Sequence, residues 1–170
     1  KFGAELSKNS HFKEDLLKLK NSAGTPDENM VAIFEFVKKK LKWNDEYGIY
    51  TSTDGIKKAY MDGIGNVAEV NLTLVAMLKE AGFQAHPVLI STRSHGIPLY
   101  PTHDGFNYVI ACVESAGKII LFDATESHST PDNLPLRDLN WEGRIVKEDG
   151  TTASVPLYPV VYSEQNTKLT

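Results

Sequence analysis

Apolar residues recur at helical spacing in the first half of the chain and in strand-like runs in the second. "SHFKEDLLKLKN" puts Phe12, Leu16 and Leu19 on one helical face, with Ser10 as the expected N-cap and Gly24 as the stop. "TPDENMVAIFEFVKKKLKW" carries a stripe of Met30, Phe34, Val37 and Leu41. Thr25 and Glu28 have capping-box spacing, and Pro26 suits the first helical position. The loop "NDEYGIYTSTDG" and a helical turn at "IKKAYM" lead into "GIGNVAEVNLTLVAMLKEAGF". There Asn66 fits an N-cap, Glu69 completes a second capping box, Val67 opens the helix and Gly82 closes it. Val67, Asn71, Leu74 and Leu78 share one face, and Val70, Val75 and Met77 widen it, so this helix is expected at the centre of the fold.

Beyond Gly82 the period changes. "QAHPVLIST" reads as a strand. "FNYVIACVE" reads as another, with Tyr108, Ile110 and Cys112 on one face, and "SAGK" turns it into "KIILFDAT". The residues Phe106–Glu114 and Lys118–Asp123 are expected to form an antiparallel hairpin. "ESHSTPDNLPLRDLNWEG" carries several turn signals, and "GRIVKEDGTTASVPLYPVV" adds one or two short strands. Helices first and strands after predict an α+β domain: N-terminal helices, and a central helix packed on an antiparallel sheet. Residues 1–146 are expected to form this domain and 147–170 an extension or linker towards a further one. The chain shows no secretory leader and closes on the polar "SEQNTKLT", so it reads as a piece of a longer protein.

Composition narrows the function classes. The 170 residues carry a net charge of -4, and the one basic run, Lys38–Lys40, lies within a helical pattern, so no nucleic-acid partner is expected. No apolar run is long enough to span a bilayer. The single cysteine, Cys112, excludes a disulfide within the chain and any multi-cysteine metal site. His86, His95, His103, Asp104 and His128 follow no ligand spacing, so neither a metal nor a cofactor is expected.

The start of the central helix is where chemistry would sit. A buried helix N-terminus presents free N–H groups and the positive end of a dipole, which lower a thiol pKa or stabilise an oxyanion. "GIGNVAEV", the helix ending "AGF", the strand "AHPVLIST", then "FNYV" and "ILFDAT" together resemble the transglutaminase-like superfamily. The resemblance runs from about Thr25 to about Arg144. It implies a papain-type fold with a Cys-His-Asp triad. The implied cysteine position holds Val67, the histidine position holds Tyr108, and only Asp123 matches; Asn66 stands where the family has aspartate. The framework residues Gly63, Gly65, Glu69, Gly82, Pro87, Phe106, Asn107 and Thr125 fit. Valine has no nucleophilic atom, and a phenol of pKa near ~10 is a poor base at neutral pH. The sequence therefore reads as a degenerate member without that acyl-transfer chemistry and with no catalytic residue of the family's kind.

The first functional expectation is a non-catalytic domain for ligand binding or scaffolding in a larger exported protein. Its old groove would be lined by Trp43, Asn66, His103, Asn107 and Tyr108. The resemblance implies a peptide or cell-wall type of ligand, other domains of the same protein as partners, and a periplasmic or cell-envelope location. The second is a hydrolase or acyltransferase built on other groups, Asp123 with Glu69 or Cys112 with a loop histidine. The third is a structural spacer in which Tyr108 fills the vacated space.

Overall fold

The computed structural model describes residues 2–7, 10–22, 24–98 and 105–159. Five helices, α1 (Phe2–Leu6), α2 (Lys13–Ser22), α3 (Pro26–Lys40), α4 (Gly55–Asp62) and α5 (Val67–Glu80), precede the main strands β3 (Gln84–Ile90), β4 (Tyr108–Ser115), β5 (Lys118–Phe122), β6 (Glu142–Val146) and β7 (Thr152–Pro156). These five make one antiparallel sheet in the order β5-β4-β3-β6-β7. Two-residue strands β1 (Lys42–Trp43) and β2 (Ile64–Gly65) pair in parallel and tie the end of α3 to the entrance of α5. The architecture is α+β, as the order of patterns predicts.

Local signals set most helix boundaries. Both predicted capping boxes form: Thr25 with Glu28 opens α3, and Asn66 with Glu69 opens α5. Ser10 does not cap α2, which starts at Lys13; Ser10 lies in an exposed turn, and Leu16 N–H reaches the Phe12 carbonyl instead. Helix α1 is too short to show a period in the sequence. Its Glu5 carboxylate accepts from Ile56 N–H at 3.1 Å and so supplies the cap that Asp54 does not give α4. Gly63 ends α4 with φ +74, and Gly65 lets the chain turn into α5: a Cβ there would lie 2.9 Å from Glu69 Cβ and 3.0 Å from Ala59 Cβ.

The core lies between the helices and the sheet. Every residue of α5 from Val67 to Leu78 is buried, including the polar Glu69, Asn71 and Thr73. Strand β4 is buried on both faces from Tyr108 to Val113 and pairs with β3 from Gln84↔Glu114 to Ile90↔Tyr108. The predicted hairpin forms with β4 starting at Tyr108, because Asn107 is drawn aside: its amide donates to Thr92 Oγ1 and its carbonyl oxygen accepts from Thr92 N–H, both at 2.9 Å. The turn between β4 and β5 places Ala116 and Gly117 at positive φ, which suits a tight hairpin. The β6–β7 hairpin crosses the expected boundary at 146/147, so Thr152–Pro156 is part of the sheet.

Candidate functional site

The end of β5, the start of β4 and the first turns of α5 meet at one fully buried carboxylate, Asp123. Its Oδ2 accepts from Tyr108 Oη at 2.9 Å, and its Oδ1 accepts from Asn71 Nδ2 at 2.9 Å and Thr125 N–H at 3.0 Å. Arg137 donates to Oδ2 at 3.2 Å, and the Thr125 hydroxyl lies within 2.9 Å of both oxygens. All these partners are donors, the arrangement a carboxylate requires when removed from water. Asn71 lies one turn into α5 and is itself saturated: its amide also donates to the Val109 carbonyl at 3.0 Å, and its oxygen accepts from Ala124 N–H at 2.9 Å. One side chain thus joins the central helix to β4 and to the residues after β5.

Val67 is the first residue of α5 and fully buried. Its N–H donates to the Glu46 carbonyl at 3.2 Å, and the Trp43 indole N–H reaches the same oxygen at 3.1 Å. The rings of Trp43, Tyr47 and Tyr108 pack with centroids 5.3 to 6.3 Å apart. The segment 43–47 therefore lies against both the start of α5 and the Tyr108 ring. Asp45 takes φ 66 in it, and Asn44 Oδ1 accepts from Glu46 N–H. The Arg137 guanidinium sits 4.9 Å above the Trp43 ring, donates to Tyr108 Oη at 3.3 Å and pairs with Glu126 at 3.3 Å.

The electrostatics follow from burial. Burial first, and then the Asp123 carboxylate, drive the Tyr108 phenol well above its ordinary pKa, so it stays a hydrogen-bond donor. Burial pushes the Cys112 thiol up to about 12, and Cys112 lies fully buried in mid-strand. Glu69 is engaged by Asn66 N–H at 2.9 Å and by Ser52 N–H and Oγ at 2.9 and 2.5 Å. Asp138 is also fully buried; burial and the neighbouring Asp123 push its carboxyl up to about 10.

The predicted positions fall as follows. Tyr108 and Asp123 are hydrogen-bonded to each other, Trp43 packs on the Tyr108 ring, and Val67 meets the same segment 43–47 through its N–H bond to the Glu46 carbonyl. Asn66 caps α5 and donates to the Tyr50 carbonyl at 3.1 Å, and Asn107 fastens the loop after β3. His103 lies outside the described residues. Among the described residues, no group of three or more His, Cys, Asp or Glu side chains is placed to hold a metal. Concavities of about 370, 380 and 720 Å³ are walled in part by Tyr50 and Ser52, by His86 and Glu148, and by Phe83 and Lys118, respectively. Arg137 and Asp138 are missed by sequence reasoning, since "LPLRDL" reads as an ordinary charged loop. Asn71 and Thr73 did leave a signal: uncharged polar residues in a helix otherwise apolar on most sides.

No family model matches the chain, and no curated protein matches it significantly. Solved structures do. A protease candidate from Parabacteroides distasonis superposes with a TM-score of 0.66 at 16% identity, over 94% of this chain and 30% of that one. A cysteine protease candidate from Cytophaga hutchinsonii gives 0.57 at 14% identity, over 88% of this chain and 44% of that one. These likenesses show the fold, helices leading into a central helix against an antiparallel sheet, to be the one those two structures share, in line with the papain-type α+β fold that the resemblance in the sequence implies. The chain spans less than half the length of either structure.

Proposed function

We propose that this chain is a non-catalytic, transglutaminase-like domain that serves as a scaffolding module of a larger exported protein. The observation that carries the reading is what stands at the first residue of α5 and at the start of β4. The nucleophile position is an aliphatic side chain, fully buried, whose N–H is spent on the Glu46 carbonyl. The imidazole position is a phenol locked onto Asp123. Acyl transfer needs a nucleophile, a base and an open oxyanion site together, and loss of coupled members costs several powers of ten in rate. The partial coverage of the two protease-like structures supports a role as one module among several. The packing of Trp43 and Tyr47 on the buried Tyr108 ring favours scaffolding over capture of a peptide in the old groove.

The test is incubation with peptide amides, esters and glutamine-donor substrates, alongside iodoacetamide labelling of the folded chain. Hydrolysis and amine transfer are expected at the buffer rate. Cys112 is expected to react only after denaturation, because its thiol is buried and held far from ionisation. Turnover above background that Asp123→Asn abolishes, or fast labelling of native Cys112, would return the domain to the enzymes.

A further inference from the structure

Asp138 poses a problem that the scaffolding role does not answer. Both its carboxyl oxygens are buried, and no hydrogen-bond donor among the described residues reaches either one. The nearest cation, Arg137, holds its Nε 3.9 Å away and spends its other donors on Asp123, Thr125 and Glu126. A carboxylate stripped of water and of donors costs far more than a neutral acid. The same guanidinium brings a second carboxyl alongside: its Nη2 lies 3.2 Å from Asp123 Oδ2 and its Nε 3.9 Å from Asp138 Oδ1. One of the two must then carry a proton. Asp123 already accepts from Tyr108, Asn71, Thr125 and Arg137, so the proton belongs on Asp138.

We infer that Asp123 and Asp138 share a single proton carried by Asp138, and that this neutral acid leaves Arg137 free to clamp the centre against Trp43. The inference stands independently of the function proposed above. The charged or titratable groups facing Asp138 among the described residues are Asp123, Arg137, Glu126 and Tyr108. With Asp138 neutral they hold two carboxylates against one guanidinium, with the phenol uncharged. Loss of the proton to solvent adds a third negative charge beside Asp123, and Arg137, 3.9 Å from Asp138, is the cation in reach to answer it. Turning towards Asp138 pulls the guanidinium off the Trp43 and Tyr108 rings. The device is a proton-held clasp that alkaline pH opens.

The sign of the linkage follows from the direction of the shift. Asp138 has a folded-state pKa raised from 3.8 to about 10, so its contribution to stability is full below the unfolded value and is lost as pH rises towards the folded one. Asp138→Asn keeps the shape and gives Asp123 an amide donor that needs no proton. Urea unfolding of wild type and this variant at several pH values is the measurement. The wild-type unfolding constant, divided by that of the variant, is expected to rise about tenfold per pH unit between about pH 5 and pH 9. A ratio that stays flat with pH overturns the inference. An infrared carbonyl stretch of a protonated carboxylic acid in the native wild type at neutral pH is the second reading and does not depend on the variant folding. Its absence from the wild type overturns the inference, and its presence upholds it.

Discussion

Replacing Asn71 with leucine deletes the link between α5, β4 and the residues after β5 while keeping the side-chain volume similar. In the native chain Asn71 Nδ2 donates to the Val109 carbonyl and to Asp123 Oδ1, and Oδ1 accepts from Ala124 N–H. Leucine leaves the Ala124 N–H without that acceptor and removes one donor each from Val109 and Asp123. An orphaned buried polar group costs ~1–3 kcal/mol, and the added apolar burial returns ~1–2 kcal/mol. Asp123 keeps Tyr108, Thr125 and Arg137, so its share is small. The net expectation is a loss of about 3 kcal/mol, or roughly 6–12 °C in Tm for a domain of this size. The assay is urea unfolding at pH 7 followed by tryptophan fluorescence, with the m-value checked for constancy. Thr73→Val in the same helix is the control. Thr73 is equally buried, yet its hydroxyl only adds a second bond to the Glu69 carbonyl at 2.7 Å, so its removal is expected to cost under ~1 kcal/mol. If Asn71→Leu costs no more than Thr73→Val, the centre is not held together by this amide and the account of a cross-linked knot is wrong.

Two further substitutions probe the same region. Gly65→Ala places a Cβ 2.9 Å from Glu69 Cβ and Oε2, so it should destabilise by ~1–3 kcal/mol through overpacking; a neutral result in thermal unfolding would show that the entrance to α5 can yield. Tyr108→Phe removes a hydroxyl that donates to Asp123 and contacts Thr125 Oγ1 at 2.7 Å and Arg137 Nε at 3.3 Å. It should cost ~1–3 kcal/mol in denaturant unfolding without disturbing the fold by circular dichroism, whereas no loss would mean that the remaining donors satisfy Asp123 unaided.

Much of the architecture was legible because its causes are local. Thr25 with Glu28 and Asn66 with Glu69 close capping boxes across three residues, and the turn at Ala116–Gly117 joins the two apolar runs that become β4 and β5. The continuous burial of α5 is visible as apolar residues around most of its circumference. The displaced start of α2 is instructive, since a plausible N-cap at Ser10 was not used and helix formation waited until Lys13. Short α1 showed no period, and the cap it lends α4 crosses 51 positions from Glu5 to Ile56.

By itself the sequence determined which side chains stand at the positions its resemblance singles out, because residue identity needs no coordinates: valine has no nucleophilic atom wherever it lies. Only the tertiary structure decided what surrounds Tyr108 and Asp123. The partners at the centre lie 52 positions apart for Asn71 and Asp123, and 14 for Arg137 and Asp123. A hydrogen bond acts over about 3 Å. Periodicity and capping, which extend over a few residues, carry no information about which distant donor will reach a given buried carboxylate; that is settled when α5 packs on the sheet and the loop carrying Arg137 and Asp138 closes over it.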